Sequence, residues 1–140
     1  MKTDSSIKNI SVAAIKRKSI DLNSWTRTKL VSEFPIDILP MQNELAVVYV
    51  FIDINNWTLV TTQRIIGLID SIKREINFLH IDDVIWGAFK NTKIDKTIFR
   101  TIDQYGDQFD FILETGKPSM AIISSISTIE NFYKENEIGQ

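Results

Sequence analysis

From Glu44 onward the chain alternates short apolar runs with turn residues, about seven in succession, before giving way to one long amphipathic segment. Many strands followed by a single late helix is the order of a small rolled or barrel-like sheet closed at one end by a helix. The first run, Leu45 to Ile54, is dense in β-branched and aromatic residues and apolar on both faces, which predicts a central, well-covered strand. Asn55-Asn56 predicts a tight hairpin turn, because Asn tolerates positive φ, and Trp57 to Thr62 returns as the partner strand. Arg64 to Asp70, a turn at Ser71-Ile72-Lys73, Arg74 to Leu79, Val84 to Phe89, Lys96 to Ile102 and Phe109 to Glu114 complete the set. Gly87 predicts a bulge or a close backbone approach. On Lys96 to Ile102, Ile98 and Ile102 lie opposite Thr97, Phe99 and Thr101, and a loop around Gly106 follows. Pro118 suits the first turn of a helix running to about residue 135, with Ser119, Ile122, Ile123, Ile126, Ile129, Phe132 and Tyr133 on one broad face.

The first 35 residues read differently. Residues 5–18 place Ile7, Ile10, Ala14 and Ile15 on one stripe at helical spacing. A second short helix is predicted from Ser24, a good N-cap, through Trp25, Leu30 and Val31 to Phe34, where Pro35 stops it. The organisation expected is a helical N-terminal arm over 1–35 and one domain over 36–140. Ile36-Asp37-Ile38-Leu39, bracketed by Pro35 and Pro40, serves as the extended connector.

At 140 residues, with 44% hydrophobic and 24% charged residues, the chain has material for a core without staples. It has no cysteine, which excludes disulfides, thiolate metal sites and cysteine nucleophiles. No stretch approaches a membrane span and the N-terminus lacks the apolar core of a signal peptide, so a cytoplasmic location is expected. Residues 1–30 carry seven basic against two acidic side chains, whereas the remaining 110 carry nine against sixteen. Arm and body therefore have opposite sign, and the simplest expectation is that the arm lies on an acidic body of its own or a neighbouring chain rather than on nucleic acid.

Candidate chemistry is thin. His80 is the only histidine, flanked by Leu79 and Ile81, with no serine or carboxylate partner assignable from sequence. Asp103, Asp107 and Asp110 surround Tyr105-Gly106 without the regular spacing of a calcium loop, and read as an acidic hairpin tip. Asp82-Asp83 reads as a turn or cap pair. Gly116-Lys117 precedes a helix but lacks the upstream glycine and hydroxyl residue of a phosphate loop. Lys16-Arg17-Lys18 points around much of a helix and reads as a solvated face. The reading contains no catalytic, cofactor-binding or metal-ligating residue, no cofactor and no enzyme. Trp25 is the best interface anchor, and an arm that is not packed on its own body must cover Ile7, Ile10 and Ile15 with another chain.

The order of elements resembles the pleckstrin-homology-like superfold in its small bacterial form. The residues carrying the likeness are Leu39-Pro40 and Glu44, then Trp57 to Ile66 with its apolar-Thr-x-x-Arg-apolar hairpin, then Arg74-Glu75-Ile76 and Ile81-Asp82-Asp83-Val84. It spans about Leu39 to Tyr133. The resemblance implies a mainly β fold with α, a strongly bent antiparallel seven-stranded PH-like barrel capped by the C-terminal helix. It also implies a non-catalytic scaffold that binds phosphoinositides, peptides or proteins, or assembles with itself. The first hairpin loop, Asn55-Asn56 beside Asp53, lacks the clustered cations that multiply charged phosphates need, so phosphoinositide is disfavoured. The expectation is a protein-interaction or self-assembly module with a protein partner or a homo-oligomer. The alternatives are a small-ligand or lipid-binding barrel and an immunity or antitoxin-like protein. A ligand barrel needs an interior cavity, whereas an interaction module is filled, here by Tyr49, Phe51, Trp57, Trp86, Phe89 and Phe111.

Overall fold

The alternating runs form two antiparallel sheets between two helices in a computed structural model that describes residues 3–18, 25–35, 37–90 and 94–138. In chain order the elements are α1 (Asp4–Lys18), β1 (Thr28–Leu30), β2 (Ala46–Asp53), β3 (Asn56–Thr61), β4 (Arg64–Ile69), β5 (Ile72–Asn77), a 3-10 turn (Phe78–His80), β6 (Ile81–Ile85), β7 (Lys96–Asp103), β8 (Gln108–Glu114) and α2 (Ser119–Ile138). One sheet has the order β1-β2-β3-β4-β5 and the other β6-β7-β8. They do not close into a single barrel, and β1 adds a strand to the seven expected. Among the described residues no helix is long and apolar enough to cross a membrane.

Turn chemistry sets the hairpins, each displaced slightly from the sequence expectation. Asp53 pairs with Asn56, leaving Ile54-Asn55 as the loop, because the Asp53 carboxylate accepts from Asn55 N and Asn56 Nδ2 at 2.8 and 3.0 Å. The next turn is Asp70-Ser71, both at positive φ (50° and 68°), so Ile72 belongs to β5. Between β3 and β4, Thr61 Oγ1 accepts from Gln63 N and Arg64 N. β6 starts earlier than Val84 because Asn77 accepts from Leu79 N and turns the corner through Phe78–His80. The expected strand residues Trp86 and Phe89 instead pack back, partly buried, against the core. Gly87 does lie at a close backbone approach: a Cβ there would stand 2.2 Å from Ile98 O.

The expected helix from Ser24 to Phe34 is absent from the described part of that stretch; Ser24, like Ile36, lies outside the described residues. Residues 28–30 form β1 instead, registered on β2 through Thr28↔Val50 and Leu30↔Val48. A buried acceptor on another strand explains the difference. Glu114 Oε1, at the end of β8, receives Arg27 N, Thr28 N and Thr28 Oγ1 at 3.1, 3.0 and 2.8 Å. An extended backbone satisfies both β2 and that carboxylate, and a local helix preference is worth only tenths of a kcal/mol per residue.

The main core lies between the sheets and α2, filled by Phe99, Phe111, Leu113, Ile122, Ile126 and Ile129 among others. Ile7 and Ile15 of α1 and the partly buried Trp25 and Leu30 pack in the same cluster as the residues of β2 to β8 and α2. α1 packs on α2. It is also tied by Lys8 Nζ to Val31 O at 2.9 Å and by Thr62 Oγ1 to Asp4 Oδ1 at 2.6 Å. On the other face of the larger sheet, Tyr49, Trp57, Leu59 and Ile66 form a second cluster beneath Val31, Phe34 and Ile38. β2 is thus covered on both sides, as its composition predicts. Phe111 and Val48 fill the interior, but Tyr49 and Trp57 serve the outer cluster and Phe51 is exposed, which corrects the expected set of lining aromatics.

The smaller sheet meets the larger one through side chains. Thr58 Oγ1 on β3 donates to Ile112 O at 2.7 Å and accepts from Ile112 N at 3.1 Å, so one buried hydroxyl satisfies both backbone groups of Ile112 on β8. Thr58→Val keeps the shape and leaves two buried backbone groups unpaired. It is expected to lower unfolding free energy by about 1–3 kcal/mol in chemical denaturation with an unchanged m-value.

Candidate protein-interaction face

The anchors expected from sequence are mostly spent inside the molecule. Ile7 and Ile15 are buried at 1% and 0% exposure, and Trp25 packs on the core of its own chain. Ile10 alone of that stripe is exposed; the inward stripe of α1 is Ile7, Ser11, Ala14 and Ile15.

A different face is open. Among the described residues β6 pairs with one strand only, β7, and the Val84 N–H donates to its own neighbour's carboxylate, Asp83 Oδ1, at 2.8 Å. The inward row of β7 contains Phe99 and Thr101, which leaves Lys96, Ile98 and Arg100 in the outward row. Ile85 pairs with Arg100 and Arg100 with Asp110, placing all of them on one surface. Ile85 and Ile98 are 51% and 44% exposed. With Gly87, Arg100 and Asp110 they line a depression of about 200 Å³, open because glycine has no side chain where its backbone crosses Ile98.

Charge is arranged around that apolar floor. Arg100 grips Asp110 in two parallel hydrogen bonds, Nε–Oδ1 at 2.8 Å and Nη2–Oδ2 at 3.1 Å, and these bonds hold the Asp110 carboxyl below the usual carboxylate range. Lys96 continues the cationic row. Asp82 and Asp83 are exposed on the open strand. Glu130 of α2 is close enough to Asp83 to feel its charge. Burial, chiefly, pushes the Glu130 carboxyl up, with Lys134 at 3.8 Å opposing and Asp83 reinforcing. Because the folded form holds this proton more tightly than the unfolded chain, the group costs stability above its folded pKa, and that cost disappears below the ordinary glutamate range. Glu130→Gln is therefore expected to raise the Tm at neutral pH and leave it unchanged near pH 3, as read by paired thermal melts.

The remaining sequence candidates are held in structural roles. Asp103 Oδ1 accepts from Tyr105 N and Asp107 N, both at 2.9 Å, so it caps its own turn, while Asp110 is committed to Arg100. His80 is exposed, its Nδ1 3.4 Å from Gln104 Nε2. Lys117 is an exposed turn residue before α2, and Lys16, Arg17 and Lys18 occupy the exposed last turn of α1. Among the described residues no group of three His, Asp or Glu side chains is placed to hold a metal ion.

Sequence reasoning missed Ile85, Ile98 and Arg100 because both faces of β7 carry apolar residues, and alternation alone does not say which one meets the core. No family model, curated protein or solved structure matches the chain.

Proposed function

We propose that the protein is a non-enzymatic interaction module on a PH-like scaffold, docking a protein segment on the β6–β7 face. The single observation that carries this reading is an open strand edge beside an apolar depression walled by the Arg100–Asp110 ion pair. Edge strands of this kind accept an extended chain through main-chain hydrogen bonds, with neighbouring side chains setting specificity. Two further features support it. Seven antiparallel strands, β2 to β8, followed by a closing helix agree with the element order implied by the resemblance, with β1 an addition to it. The space between the sheets and α2 holds Phe99, Phe111 and the isoleucines of α2, which favours surface docking over an interior ligand.

The test is selection of displayed random peptides on the native protein, followed by amide-shift mapping of a selected peptide. Shifts centred on residues 81–87 and 96–100, with binding lost in Ile85→Asp, are the expected result. Peptides that map elsewhere, or none selected, would sink the proposal.

A further inference from the structure

The open edge of β6 is acidic as well as unpaired. Asp82 and Asp83 are exposed, and neither joins an ion pair among the described residues. Asp83 Oδ1 accepts from Val84 N, while its other oxygen has no partner among the described residues. Ile81 pairs with Asp103, so the strand begins beside the β7–β8 turn, where Asp103 and Asp107 add two carboxylates that no described cation pairs. The nearby basic groups are already committed. Arg100, which pairs across from Ile85, is held by Asp110, and Lys134 lies 3.8 Å from Glu130. Burial, chiefly, holds the Glu130 carboxyl above its ordinary range, with Lys134 opposing and Asp83 reinforcing, so the negative field of this edge reaches α2.

We infer that the segment docked on the β6 edge is a basic one, an extended chain whose backbone pairs with β6 and whose Lys or Arg side chains meet Asp82 and Asp83. The inference rests on the β6–β7 face being a docking surface and names the chemistry of its partner. Main-chain pairing alone accepts almost any sequence, because each residue offers the same N–H and C=O, so the flanking side chains make the choice. Opposite charges facing each other across a strand pair stabilise it, and like charges directly opposite destabilise it. Two carboxylates on adjoining residues, with two more at the neighbouring turn, therefore favour a cationic segment and reject an acidic one. The same charges protect the edge, since β6 of a second copy would bring Asp82 and Asp83 of both chains along one seam. Nor does the basic run Lys16-Arg17-Lys18 of a second copy fit, because it lies in the last turn of α1 and presents no extended backbone.

The displayed peptides selected on the native full chain are the probes. Those whose amide shifts map to residues 81–87 are expected to carry Lys or Arg and to lack Asp and Glu. For one such peptide, calorimetric titration compares the wild type with Asp82→Asn and Asp83→Asn at about 0.05 M and about 0.5 M salt. Each substitution weakens binding about three- to tenfold at the lower salt, and the difference closes at the higher. Asp83→Lys reverses the preference, binding the peptide better once its Lys or Arg is replaced by Glu. Asparagine at position 83 keeps an acceptor for Val84 N, and unchanged thermal melts confirm that these exposed substitutions leave the fold intact. Peptides that map to residues 81–87 but are neutral or acidic, or affinities that ignore both asparagine substitutions, overturn the basic partner and leave the docking edge standing. If no selected peptide maps there, the docking face and its partner fall together.

Discussion

Arg64→Met is expected to destabilise the protein by about 3–5 kcal/mol, because it strands a buried carboxylate. The Glu44 side chain has 0% exposure, and its charge is met by Arg64 Nε at 2.8 Å and Nη2 at 3.1 Å. Thr61 Oγ1 at 2.5 Å and Met41 N at 2.8 Å remain after the substitution, but neither carries a positive charge. Arg64 also bonds Glu75 and Leu39 O, so the same change frees the loop that carries Leu39 and Met41. For a domain of this size the loss corresponds to a fall in Tm of roughly 10 °C. The double variant Arg64→Met/Glu44→Leu should recover more than half of it, since removing both partners avoids the unpaired charge. A double variant no more stable than the single one would show that the hydrogen bonds from Thr61 Oγ1 and Met41 N suffice to hold the Glu44 side chain without Arg64.

Phe99→Ala is expected to cost about 3–5 kcal/mol for a different reason. Phe99 is fully buried on β7 between Trp86, ring centroids 5.1 Å apart, and Phe111, at 5.6 Å. Phe111 reaches the larger sheet at Gly67, where a Cβ would stand 2.6 Å from Trp57 O and 3.2 Å from Phe111 Cδ1. This aromatic column therefore joins the two sheets where the Phe111 ring lies against Gly67, and the gap left by truncation has little freedom to collapse. Chemical denaturation gives the loss directly. Phe99→Leu, which conserves most of the volume, should cost under half as much. Equal losses would indicate that ring stacking rather than filled volume is what matters.

Among the residues that carry the resemblance, Leu39-Pro40, Glu44 and Arg64 of the Trp57 to Ile66 hairpin lie together in the fold, with Arg64 bonding both Leu39 O and Glu44. That convergence was not visible in the chain, where the segments are twenty residues apart. The candidate site was less legible still. Which of the expected anchors Ile7, Ile10, Ile15 and Trp25 meet the chain's own core was not legible: Ile7 and Ile15 are buried, Trp25 is partly buried against the core and Ile10 is exposed. Ile98 was recognised as one face of an alternating strand, but its neighbours Ile85 and Arg100 come from pairing with β6 and from register.

Spacing and turn chemistry are local, and what they determined by themselves is considerable: a predominantly β chain, approximate positions for β2 to β8, a bulge or close approach at Gly87, a helix over residues 5–18 and a long amphipathic α2 after Pro118. Tertiary structure decided what depends on distant partners. Residues 28–30 became a strand because β2 offered an open edge and Glu114 an acceptor 86 residues away. α1 became a layer of the fold because α2 and the core could bury Ile7 and Ile15, and the outward row of β7 was left to solvent because Phe99 filled the space between the sheets. Hydrophobic periodicity says that a face must be buried, but only the assembled surfaces decide against what.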